Sequence, residues 1–116
     1  MTRNVRAVEH YLEGFRRTDR AHILACLTDD VEWIIPGAFH ARGKDAFNTH
    51  IVDEGFTGQP EITVTRYIES GDVVIAEGRV VAHRTEGGPL NVVFCDVFDL
   101  RDGLISRLVS YLMPLR

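Results

Sequence analysis

Apolar residues recur at three- and four-residue intervals through Val5, Val8, Leu12 and Phe15, with Tyr11 on the flank of the stripe. This spacing predicts a helix over residues 4–17 with one buried face. Thr18 or Asp19 can cap a second, short helix that turns Ile23, Leu24 and Leu27 inward, and Thr28-Asp29-Asp30 ends it. A strand over residues 31–35 stops at Pro36-Gly37, and residues 36–43 read as a loop. Residues 44–54 read as a third helix, with Phe47 and Ile51 four apart and Gly55 as its stop; residues 56–60 are a connector. From Glu61 onward the period becomes two. Strands over 62–69, 73–84, 90–100 and 104–113 are separated by turns at Ser70-Gly71-Asp72, Glu86-Gly87-Gly88-Pro89 and Asp102-Gly103. Helices followed by a meander predict one α+β domain over residues 1–116. In it a curved, cone-shaped sheet, antiparallel or mixed, wraps around three N-terminal helices and leaves a pocket that the helices do not fill.

The strand over 90–100 carries an anomaly. Asp96 shares a parity with Val92, Phe94, Phe98 and Leu100, so alternation sends a carboxylate with four apolar neighbours. Such a group must be paired, hydrogen-bonded or protonated if that face is buried. Three readings stand: the strand turns its other face to the core, Asp96 satisfies a backbone group, or Asp96 is an acid at the floor of an apolar cavity.

Composition excludes several classes. The chain has 116 residues, 45% hydrophobic and 26% charged, with a net charge of −4. No basic stripe suits nucleic acid. No apolar run is long enough to span a bilayer, and the first residues read as an amphipathic helix, so a cytoplasmic, non-membrane protein is expected. Cys26 and Cys95 are expected to be buried free thiols. His22, His50 and His83 fall on separate elements, so no metal site is expected. No phosphate-cradling glycine loop and no G-x-S-x-G elbow is present, and no cofactor is expected.

Several strings resemble the ketosteroid isomerase-related, SnoaL-like branch of the nuclear-transport-factor-like (cystatin-like) fold. They are Asp19-Arg20-Ala21 through Leu27, Asp29-Asp30-Val31-Glu32-Trp33, Pro36-Gly37, Gly43-Lys44-Asp45-Ala46-Phe47, and Asp96 to Leu100 leading to Asp102-Gly103-Leu104-Ile105. The resemblance implies a cone-shaped domain, a homodimer across the sheet, and a pocket edged by the first helix and the loop after the first strand. It places a helix tyrosine donor on Tyr11 and an oxyanion-binding aspartic acid on Asp96. The family's proton-carrying aspartate falls on Ile35, which accepts no proton.

A phenol beside a neutral carboxylic acid supplies two donors to an oxyanion in a dry pocket. The base must then come from elsewhere. His40, in the loop after the first strand, is the first candidate because its ordinary pKa lies near neutrality. Glu77 is the second; it shares a strand face with Arg79 and His83, and that face is either a solvated surface or turned into the cavity. Turned inward with Asp96, Glu77 and Arg79 would activate a water as in epoxide-hydrolysing relatives, although the Arg-x-Asp order that those relatives carry on a strand is absent from the strands expected here. Trp33, Ile35, Phe39, Phe94 and Leu108 are the candidate walls for a small apolar ligand. The expected function is therefore cofactor-free acid–base chemistry on an apolar, oxygen-bearing molecule. The alternative is a non-catalytic ligand-binding or dimer-forming protein of the same fold.

Overall fold

Thr2 starts the first helix: its hydroxyl oxygen accepts from the Val5 N–H at 3.2 Å, ahead of α1 (Arg3–Arg16). The chain reverses at Thr18, whose φ is +50°. Asp19 then caps α2 (Arg20–Ala25), its carboxylate accepting from the His22 N–H at 3.1 Å. The computed structural model describes residues 1–52 and 54–115; Asp53, inside the expected third helix, and Arg116 lie outside the described residues. The remaining described elements are β1 (Leu27–Ile35), β2 (Phe39–Arg42), α3 (Gly43–Thr49), β3 (Phe56–Ser70), β4 (Val73–Arg84), β5 (Pro89–Arg101) and β6 (Leu104–Pro114).

The strands form one mixed sheet in the order β2-β1-β6-β5-β4-β3. All neighbours are antiparallel except β1 and β6, which run parallel. The curved, unclosed sheet carries α1 against β3 and α3 against β1, the expected α+β cone. Asp102 and Gly103 both take positive φ in the β5–β6 turn, as that dipeptide predicts.

Four boundaries depart from the local pattern; the first is the third helix, which stops at Thr49 with His50 as its C-cap rather than running on to Glu54. Leu27 to Asp30 begins a strand rather than ending a helix, because Leu27 is paired with Ile105 of β6 and the Ile105 N–H donates to the Cys26 carbonyl at 2.9 Å. Residues 39–42 form β2, not loop, by folding back on β1. Residues 56–60 open β3 instead of connecting to it, and the register with β4 shifts between Thr57 and Glu61, around Pro60. That irregularity accommodates a residue with no N–H to donate. Cys26 and Cys95 are free but half-buried, since neither is enclosed on all sides.

The core sits between the helices and the inner face of the sheet. On β5, Val92, Phe94, Asp96, Phe98 and Leu100 are buried while Val93, Cys95, Val97 and Asp99 are half-buried. The inner face is thus the one that carries Asp96. Tyr11 meets Phe98 and Phe47 edge-on at 5.5 and 6.3 Å, and Trp33 stacks on Phe47 at 4.6 Å. Outside this core, Glu9 accepts from both Tyr67 of β3 and Arg16, tying α1 to the sheet edge. No helix among the described residues is long and apolar enough to cross a membrane.

Candidate active site

A cavity of about 170 Å³ lies between α1 and the sheet. Tyr11, Leu12 and Phe15 supply the helix wall, and Trp33 and Ile35 come from β1. Pro60 and Ile62 of β3 and Val80 of β4 close another side; Phe94 and Asp96 of β5 and Leu108, Ser110 and Leu112 of β6 form the floor. The pairing register explains why there is space above the acid: Asp96 is flanked across the strands by Ala76 on one side and Ser110 on the other. Two small neighbours leave the carboxyl group uncovered.

Asp96 is 8% exposed, and its Oδ1 has no hydrogen-bond partner among the described residues. Burial in apolar surroundings pushes its pKa up to about 7, against a smaller opposing pull from the Ser110 hydroxyl. Ser110 is itself held, accepting from Trp33 Nε1 at 3.1 Å, so its own proton is free to turn toward Asp96. Tyr11 is 2% exposed. Burial first, then the negative charges of Asp96 and Cys26, push its pKa well above the ordinary tyrosine value. The phenol therefore stays a neutral donor beside an acid that changes state near neutrality.

Tyr11, Asp96, Trp33, Ile35, Phe94 and Leu108 all line this cavity. Phe39 stands behind its wall, packed edge-on against Trp33 at 5.2 Å and stacked on His50 at 3.8 Å. The two base candidates are elsewhere. His40 is exposed on β2, opposite Ile34, with its ring nitrogen 3.1 Å from Glu32 Oε2. Glu77 follows Ala76 on β4, and because Ala76 turns inward beside Asp96, alternation sends Glu77 to the outer face. There it pairs with Arg66. Arg79 shares that parity and is exposed, so the Glu77–Arg79–Asp96 grouping does not form. Ser110 was not among the expected site residues, although the β6 alternation Leu108, Ser110, Leu112 carries it to the same floor.

The cone of three helices and a curved six-stranded sheet is the nuclear-transport-factor-like fold, and here its helix phenol and strand carboxylic acid share one apolar cavity. The family model for the SnoaL-like domain matches residues 8–108, and the chain belongs to that family. Among solved structures, an LEH-like epoxide hydrolase of M. tuberculosis is 23% identical over 96% of this chain and 83% of its own, with a TM-score of 0.84. An NTF2-like protein of unknown function from Burkholderia pseudomallei is 21% identical over 97% and 92%, with a TM-score of 0.87. A protein described as a ketosteroid isomerase from Kribbella flavida is 18% identical over 98% and 80%, with a TM-score of 0.77. No curated protein matches the chain. These likenesses carry the fold; the reaction has to be argued from the site.

Proposed function

We propose that the protein is a cofactor-free acid–base enzyme for a small, apolar, oxygen-bearing molecule, with Asp96 moving the proton and Tyr11 donating to the substrate oxygen. The observation that carries this reading is Asp96 itself: a buried carboxyl group with an unpartnered oxygen, the sole carboxylate or imidazole among the described residues lining an apolar cavity. A pKa near the working pH is what a proton-transfer group needs. With Ile35 at the family's base position, and His40 and Glu77 on the outer face, the acid first assigned to the oxyanion takes the base's part. An apolar cavity of about 150 Å³ holds a benzene-sized guest. The substrate is accordingly a single-ring or short branched carbonyl compound, smaller than a steroid. Epoxide opening by Glu77, Arg79 and Asp96 together has no support, because two of the three lie across the sheet from the third.

The test is proton exchange at the α-carbon of single-ring ketones and enones in deuterated water, followed by NMR. Exchange is expected to exceed the buffer rate, to rise through about pH 7 as Asp96 ionises, and to fall roughly 10²-fold in Tyr11→Phe with the loss of one oxyanion donor. Binding of the ketones without exchange would favour the ligand-binding alternative.

We further infer that the outer face of β5 and β6 pairs with a second copy of the chain. Tyr111 and Met113 are 52% and 64% exposed there, beside half-buried Val93, Cys95 and Val97. An apolar sheet face of this kind is costly to leave in water. Sedimentation is expected to give twice the chain mass, with the dimer lost in Tyr111→Lys; a wild-type monomer at micromolar concentration would end this inference.

A further inference from the structure

The α1–α2 junction gathers three metal-ligating side chains that the sequence keeps apart. His10 of α1, His22 of α2 and Cys26 at the end of α2 each offer a ligand atom, and these atoms lie within 4.8 Å of one another. Tetrahedral zinc with nitrogen and sulfur ligands holds its donor atoms about 3.5 Å apart. A small side-chain adjustment closes that difference, and His10 is exposed and has room to make it.

The arrangement is built by the fold. His22 and Cys26, four residues apart, fall on one face of α2. The reversal at Thr18 and the Asp19 cap then lay that face against α1 at Gly14. A Cβ on residue 14 would stand 2.8 Å from His22 Cδ2 and 2.9 Å from Ile23 Cγ1, so the imidazole fits only because residue 14 has no side chain. The His22 ring lies 4.1 Å from the His10 ring. His22 Nε2 sits 2.7 Å from the His10 carbonyl oxygen. A carbonyl only accepts, so Nε2 carries the proton, and the second ring nitrogen keeps the lone pair a cation takes. An imidazole held through one nitrogen by a carbonyl is the usual orienting device for a metal-binding histidine. The Cys26 thiol donates to the His22 carbonyl at 3.3 Å, which keeps the sulfur on the same side of the helix.

We infer that His10, His22 and Cys26 form a zinc site with three protein ligands and a fourth position open to solvent, clipping α2 onto α1. Two imidazoles and a thiolate suit a borderline-soft ion, whereas calcium and magnesium take oxygen ligands. The clip is separate from the Asp96 cavity, but it holds the helix turn that carries Tyr11, the residue after His10. It does not depend on the acid–base reading.

Cobalt(II) titration of chelator-treated protein tests the site. One equivalent is expected to produce a thiolate-to-cobalt charge-transfer band and the visible absorption of a tetrahedral ion, both displaced by zinc. The charge-transfer band is lost in Cys26→Ser and kept in Cys95→Ser. Affinity falls about a hundredfold or more in His10→Ala, an exposed position whose change leaves the fold intact. Zinc raises the wild-type Tm, chelation reverses the rise, and His10→Ala does not respond. Absence of the band in the wild type, its loss with Cys95 rather than Cys26, or a zinc response that survives His10→Ala would overturn the assignment.

Discussion

Asp96→Asn is expected to make the protein more stable at neutral pH while removing its catalysis. In the folded chain the Asp96 pKa stands at about 7, against about 4 for an unfolded aspartate. Between these values the folded state holds a proton that the unfolded state has released. The contribution is fully present below about pH 4 and is lost progressively as pH rises to about 7. Three pKa units correspond to roughly 4 kcal/mol. Asparagine resembles the protonated acid in shape and never ionises, so the variant should not share this loss. Thermal unfolding of both proteins from pH 4 to 8 checks the difference, which cancels the opposite pH dependence of Asp30, held low by Arg101. Proton exchange by the variant falls about 10²–10⁴-fold. Ser110→Ala sharpens the same measurement: losing the hydroxyl that opposes burial moves the Asp96 titration higher still. Parallel pH–stability curves for wild type and Asp96→Asn would show that the carboxyl is not buried as described.

Gly78→Ala is expected to destabilise the fold by about 3 kcal/mol or more, an overpacking cost at the upper end of what a buried site produces. Gly78 of β4 lies between Val64 of β3 and Phe94 of β5. A Cβ there would stand 2.1 Å from the Thr63 carbonyl oxygen and 2.9 Å from two atoms of the Phe94 ring. The ring can be pushed, but only into the cavity whose floor it forms. The carbonyl belongs to a strand already irregular between Val64 and Arg66, and moving it strips β3 from β4. Urea unfolding should show a lower midpoint, and surviving folded protein should bind single-ring ketones at least about tenfold more weakly. An unchanged midpoint would contradict the close packing of β3, β4 and β5 around residue 78.

The same contacts show what could be read from the sequence. Alternation identified Asp96 and its neighbours, but alternation alone has two faces; only the register with Ala76 and Ser110 decides that this one is inward. Glu77 is legible as an outer-face residue once Ala76 is fixed, and His40 once β2 is known to fold back on β1. Helix periodicity ran through Leu27 because the partner that makes it a strand, Ile105, is far away along the chain. No local pattern joins His10 to His22 and Cys26 for a similar reason: their meeting depends on a reversal at Thr18 and on the missing side chain of Gly14. Local pattern names the residues, and non-local pairing decides which of them meet.

The parallel contact of β1 with β6 also sets the order in which the molecule can become functional. β6 lies between β1 and β5, so until it arrives the chain holds two separate pieces, a β1–β2 hairpin and a β3–β5 meander, each with an unpaired edge. Trp33 and Ser110, whose hydrogen bond spans the join, are 77 positions apart. Closing so long a loop is slow compared with forming the hairpins. Ligand affinity during refolding should therefore appear in one late step with the burial of Trp33, well after most of the strand content has formed.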